Sequence, residues 1–258
     1  MHAETLEMTL PLVSPPFFER DPGFYVTSVR ALHIFLSRRW EFFADVLGTF
    51  LLEPLSGLRA GYYMHRGLQD RTITSLNPRQ LTSEQLKMSP VLWIHGDRSK
   101  EGIWKRMCNR VNQEIPHKAM FTINLTAPDG KVKPERHLQS LVDKVKEIRA
   151  LYPLNATPKI SFVGHSSGGF IIPPLVKRLR AEAIPTGALL LIGAKFDQQE
   201  LKELADYPEP FLEILGTKDI WVGDKSLRPN FMRIIAAHVS LLFNEAVITK
   251  VVEVLKAT

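Results

Sequence analysis

A single cysteine, Cys108, stands in a chain of 258 residues, which excludes an intramolecular disulfide framework and suits a reducing compartment. Long apolar runs are missing too. The nearest, Phe42 to Leu58, is broken by Asp45, Glu53 and Pro54, so no stretch reaches the roughly 18–20 residues a spanning helix needs. The first ten residues carry Glu4 and Glu7, no Lys or Arg and no apolar core, so a cytoplasmic chain without a secretory signal is expected. No metal-ligand cluster, phosphate-binding loop or dinucleotide fingerprint is visible, and no cofactor is expected.

What is present is ordinary in bulk and uneven in place. Apolar residues make up 45% of the chain and charged residues 23%, the balance of a globular protein that buries its own core. The net charge of +6 is concentrated in residues 86–160, which hold 14 Lys/Arg against 7 Asp/Glu. Such a stretch could favour an anionic substrate or membrane surface, but solvated helix faces such as Lys131 to Lys146 are the simpler reading. No nucleic-acid motif accompanies the charge, so no nucleic-acid partner is expected.

Two regimes meet near residue 85. The first is turn-rich through Pro11, Pro15, Pro16 and Pro22, then reads as helix from about Tyr25 to Tyr62 with a heavy load of Phe and Trp. A polar connector, Gln69 to Lys87, follows, with Asn77-Pro78 as a turn signal. From residue 90 onward short apolar runs alternate with helical stripes, the pattern of a mostly parallel sheet covered by helices. Six strands are expected: Val91–Ile94, Met120–Leu125, Ile160–Val163, Ala188–Ile192, Phe211–Leu215 and Met232–Ala236. One stripe repeats every four residues at Ile103, Met107, Val111 and Ile115, and Leu138 to Leu151 and Val247 to Leu255 form two more. The expected organisation is an N-terminal helical extension over residues 1–85 and an α/β domain over 86–258.

Chemistry concentrates at Gly164-His165-Ser166-Ser167-Gly168-Gly169. It follows the apolar run Ile160-Ser161-Phe162-Val163 directly and precedes a helical stretch from Phe170 to Glu182. A G-x-S-x-G between strand and helix is a nucleophile elbow: a sharp turn that needs small neighbours lifts the serine hydroxyl above the sheet. The next helix then points its N–H groups toward developing negative charge. Pro173-Pro174 should kink or loosen that helix.

With these residues, the region 90–258, about two thirds of the chain, resembles the α/β-hydrolase superfamily and its compact lipases and esterases. Three further segments carry the likeness. Val91 to Ile94 leads into His95-Gly96-Asp97, similar to a His-Gly oxyanion loop. Phe211 to Leu215 ends in Gly216-Thr217-Lys218-Asp219, and His238 precedes the terminal helix. The order Ser166, Asp219, His238 is the family's order. Each residue type also has its own reason: a hydroxyl needs a base, and an imidazole base needs a carboxylate to fix its tautomer. An imidazole base implies activity that rises through roughly pH 6–8. His95 and His165 read as structural parts of their motifs, and Cys108 as core. Asp224 and Asp197 are the rivals of Asp219 for the acid. The resemblance further implies an oxyanion hole from the backbone N–H groups of Asp97 and Ser167. The Asp97 carboxylate would there have to turn away, toward Arg98, Lys100 or, as expected here, solvent.

The expected activity is that of a serine carboxylester hydrolase acting through an acyl-enzyme on an acyl-ester or lipid-like substrate. A thioesterase is an alternative. So is a non-catalytic hydrolase-fold protein that contacts a partner or a membrane through residues 22–62. No large cap is expected, because Gly193 to Pro210 leaves room for one small helix.

Overall fold

The computed structural model describes residues 76–258 except 98, 126–130, 204–206, 218, 220–230 and 237. The expected N-terminal helices and residues 22–62 therefore lie outside the described residues, as does Asp224.

Six parallel strands form one sheet in the order β2-β1-β3-β4-β5-β6. They are β1 (Val91–Ile94), β2 (Met120–Ile123), β3 (Ile160–His165), β4 (Thr186–Ile192), β5 (Phe211–Gly216) and β6 (Met232–Ile234). The central strands are mostly apolar and buried end to end because both faces are covered, as parallel sheets require. Their side chains alternate between two cores. Leu92, Ile94, Phe162, Leu189 and Leu191 face one, and Val91, Trp93, Val163, Leu190 and Ile192 face the other.

Helices close both faces. On the first lie α2 (Pro134–Ala150) and α4 (Ile172–Ala181), which bury Leu141, Val145, Ile148, Leu175 and Leu179. On the second lie α1 (Lys105–Glu114) and α6 (Glu245–Lys256), which bury Met107, Cys108, Val111, Val247, Val251 and Leu255. Each fully buried Leu, Ile or Val contributes about 1.5–3 kcal/mol relative to exposure, so these two stripes hold the layers together. Asn244 starts α6 by accepting the N–H groups of Ala246 and Val247 at 2.9 and 3.4 Å. Buried Lys118 caps its far end, donating from Nζ to the Leu255 carbonyl at 2.9 Å.

The proline pair acts where expected. Helix α3 (Ser167–Phe170) stops, Ile171 turns, and α4 restarts with Pro173 in its first turn, where a missing N–H costs nothing. The chain between β4 and β5 holds one short helix, α5 (Gln198–Glu203). Strand ends differ from expectation by a residue or two, each for a local reason. β2 stops at Ile123 because the Leu125 N–H goes to the His95 ring instead of the ladder. β4 starts early, at Thr186, beside a register shift where Ser161 Oγ accepts the Ala188 N–H at 3.2 Å.

The strand order sets the site. From β1 the chain moves outward to β2, then crosses back to β3 on the other side of β1. The segments that leave the C-terminal ends of β1 and β3 therefore diverge, opening the crevice where an open parallel sheet binds its ligands. Among the described residues no helix is long and apolar enough to cross a membrane.

Candidate active site

Ser166 follows the last residue of β3 and precedes α3, at φ 54° and ψ −129°. A non-glycine residue there is strained by about 1–3 kcal/mol, and persists only where the surroundings impose it. They do. The Ser166 N–H donates to the Ile192 carbonyl at 3.0 Å, and its carbonyl accepts from Gly169 and Phe170 at 2.8 and 3.1 Å. Gly168 sits so close to β1 that a Cβ there would lie 2.4 Å from the carbonyl oxygens of Ile94 and His95. The elbow is thus wedged against the end of β1. A Cβ at Gly96 would meet the Ser166 Cβ at 2.8 Å, so the loop after β1 runs directly past the serine.

Asp219 and His238 come together from the ends of β5 and β6. His238 Nδ1 lies 2.7 Å from Asp219 Oδ2, and the Asp219 side chain is buried. A carboxylate only accepts, so Nδ1 carries a proton, and in the neutral ring Nε2 then keeps its lone pair, the form a base requires. Gly193, at φ 58°, presses its backbone on this pair. A Cβ there would stand 3.0 Å from His238 Cε1 and Nδ1.

Two further histidines, His95 and His165, lie buried close to this pair. His95 Nε2 accepts the Leu125 N–H at 2.9 Å, which leaves Nδ1 to donate to the Gly96 carbonyl at 2.8 Å. Burial, the largest influence on it, lowers its pKa below the ordinary histidine value. It ties the loop after β1 to the end of β2. His165 Nε2 lies 3.2 Å from the His238 carbonyl oxygen, with the two ring centroids 4.7 Å apart. Burial first, and His238 second, push its pKa down to about 3.

Two expectations remain. Asp97 is exposed, as expected, and its Oδ1 also accepts the Val132 N–H at 2.7 Å, which pins the neighbouring loop. Ser167 opens α3, so its N–H has no acceptor within that helix. Asp197, the rival acid that lies among the described residues, is exposed and occupied elsewhere. Its Oδ1 accepts the Glu200 N–H at 2.7 Å while Glu200 Oε2 accepts the Asp197 N–H at 2.8 Å, a reciprocal cap on α5. Cys108 is fully buried under α1, where burial pushes its thiol far above the ordinary value and keeps it inert. Glu213, which the sequence did not single out, is buried in β5 and holds the Phe196 N–H at 2.7 Å, steadying the chain after Gly193. Among the described residues no three His, Cys, Asp or Glu side chains group as a metal site would.

No family model matches the chain, and no curated protein does. Solved structures do match. A gene product of Listeria innocua aligns with a TM-score of 0.50 at 14% identity, over 66% of this chain and 95% of its own. The monoacylglycerol lipase of Paleococcus ferrophilus aligns at 0.48 and 12% identity, over 66% and 97%. A predicted CIB-like hydrolase of Thermoplasma acidophilum aligns at 0.48 and 13%, over 66% and 87%. At such identities the likeness is one of fold. With the parallel order of the six strands and the helices on both faces, the chain has the α/β-hydrolase fold.

Proposed function

We propose that the chain is a serine carboxylester hydrolase with Ser166 as nucleophile, His238 as base and Asp219 as the orienting acid. His238 Nε2 takes the Ser166 hydroxyl proton as Oγ attacks the ester carbonyl carbon. The backbone N–H groups of Asp97 and Ser167 receive the oxyanion. The tetrahedral intermediate collapses, the leaving alkoxide takes the proton from His238, and water activated by the same imidazole cleaves the acyl-enzyme. The observation that carries this reading is the buried 2.7 Å hydrogen bond from His238 to Asp219 beside a serine in the strained elbow conformation.

The substrate is an acyl ester with an apolar, lipid-like chain. Two large apolar side chains support it: Phe170, four residues past the serine, is 40% exposed, and Ile235, three before His238, is 71% exposed. Labelling with a fluorophosphonate probe tests the nucleophile. The native chain should label and Ser166→Ala should not. Retained labelling in that variant would move the nucleophile elsewhere, Ser167 first. A native chain that does not label would reduce the protein to a binding role. Matched esters and thioesters of one acyl chain then decide the bond cleaved.

A further inference from the structure

We propose that His165, the residue before the nucleophile, is a positioning residue for the base, a neutral imidazole that holds the His238 backbone and ring from the elbow. The inference rests on the triad proposed above.

His238 must keep its imidazole fixed while its charge changes twice per turnover. Asp219 fixes one edge of the ring through Nδ1, and the Gly193 backbone bounds the same edge. His165 reaches the main chain of His238, which lies between the short β6 and the turn Ser240–Phe243. A carbonyl oxygen only accepts, so the 3.2 Å contact means that His165 Nε2–H donates to the His238 carbonyl. The same ring packs on the His238 ring at 4.7 Å and 41°. One side chain thus grips both ends of the base residue. It stands on β3 next to Ser166, so nucleophile and base share one anchor across 73 residues of sequence.

The grip must be electrically neutral. When His238 becomes an imidazolium, a second cation packed on its ring would oppose the proton transfer. The titratable groups around His165 are His238 and, farther off, His95, both of which disfavour its protonation, and burial acts in the same direction. The ring therefore stays an uncharged donor while its neighbour takes and returns the serine proton. A core histidine with no such role would need a partner only for its own satisfaction, and any side chain of that volume could replace it.

The experiment compares His165→Gln, which keeps an N–H donor, with His165→Phe, which keeps a ring and loses the donor. With a soluble model ester, the Phe variant should lose about 10- to 100-fold in kcat with KM within about twofold, the scale of a misplaced catalytic group. The Gln variant should recover most of that loss. The far-downfield Nδ1–H proton resonance of His238 gives a second readout that needs no turnover. It should be sharp in the native chain, broadened in the Phe variant and restored in the Gln variant. Should the Phe variant fail to melt cooperatively, His165→Met carries the same comparison. A folded Phe or Met variant with native kcat and a native resonance overturns the proposal, and so do equal losses in the Gln and Phe variants. A failure of the triad itself shows separately, as Ser166→Ala chains that still label.

Discussion

Gly193 shows how one hydrogen atom in place of a side chain can bound the paired His238 and Asp219 side chains. Its φ of 58° is left-handed, and a methyl group there would meet the His238 ring at 3.0 Å and Asp219 Oδ2 at 3.4 Å. Alanine therefore brings two penalties. The backbone conformation costs roughly 1–2 kcal/mol, and the collision must be relieved by moving the imidazole. Gly193→Ala should thus lower kcat on a model ester by about 100-fold, the effect of roughly an ångström of misplacement, while the melting temperature falls only by several degrees. A folded variant with native kcat would show that the ring does not depend on this wall. The serine, carboxylate and histidine proposed for the site stood out in the sequence because the chemistry constrains their residue types and order. Gly193 did not. Its role is a close approach between residues 45 positions apart, and the Asp97–Val132 and His95–Leu125 bonds end on backbone N–H groups that every residue but proline owns. Residue identity says nothing about such contacts.

At the scale of elements, the six strands could be read because each is a short apolar run between turns. Their ends could not, because they depend on which backbone groups find side-chain partners. The cap on α5 is different: Asp197 and Glu200 are spaced as a capping box, so the signal was present and the exposed role of Asp197 could have been inferred. The connector before β1 is more than a tether. Leu76 bridges to Met120 on β2, and Asn77, at φ 52°, donates its N–H to the Met120 carbonyl at 2.9 Å. Its side chain donates to Thr122 Oγ1 at 2.8 Å and accepts the Thr122 N–H at 3.0 Å. Asparagine suits the place twice, since it tolerates the left-handed region and its amide copies a backbone pair. Asn77→Ala removes both bonds and adds strain, so it should cost about 1–3 kcal/mol in urea unfolding. Ser166 labelling should stay unchanged, because β2 is two strands away from β3 in the sheet. A stability equal to the native value would mean that Asn77 merely rests on the edge strand.

Among the described residues most charged side chains stand outside, and burial holds the His95 and His165 rings toward the neutral form. Much of the basic excess in 86–160 sits in ion pairs between or along elements, including Lys146–Glu182, Arg106–Glu245 and Lys144–Glu147. Exposed pairs of this kind are worth about 0–1 kcal/mol each, so they shape the surface more than they hold the fold. The buried histidines weigh more. His165 has a folded value near 3 against an ordinary 6.5, and His95 is shifted in the same direction. As pH falls below 6.5 the unfolded chain binds protons that the folded chain refuses, so the unfolded state gains and stability falls. In that window each such group contributes a slope of up to about 1.4 kcal/mol per pH unit. Between pH 7.5 and 5 the unfolding free energy from urea titrations should therefore drop, by roughly 2 kcal/mol through His165 alone. His165→Gln isolates that share. Whatever the substitution costs at pH 7.5, its deficit relative to the native chain should shrink by about the same 2 kcal/mol at pH 5, because glutamine has no proton to refuse. A deficit that stays constant across the range would mean that His165 is protonated in the folded state, and the neutral donor to the His238 carbonyl would fall with it.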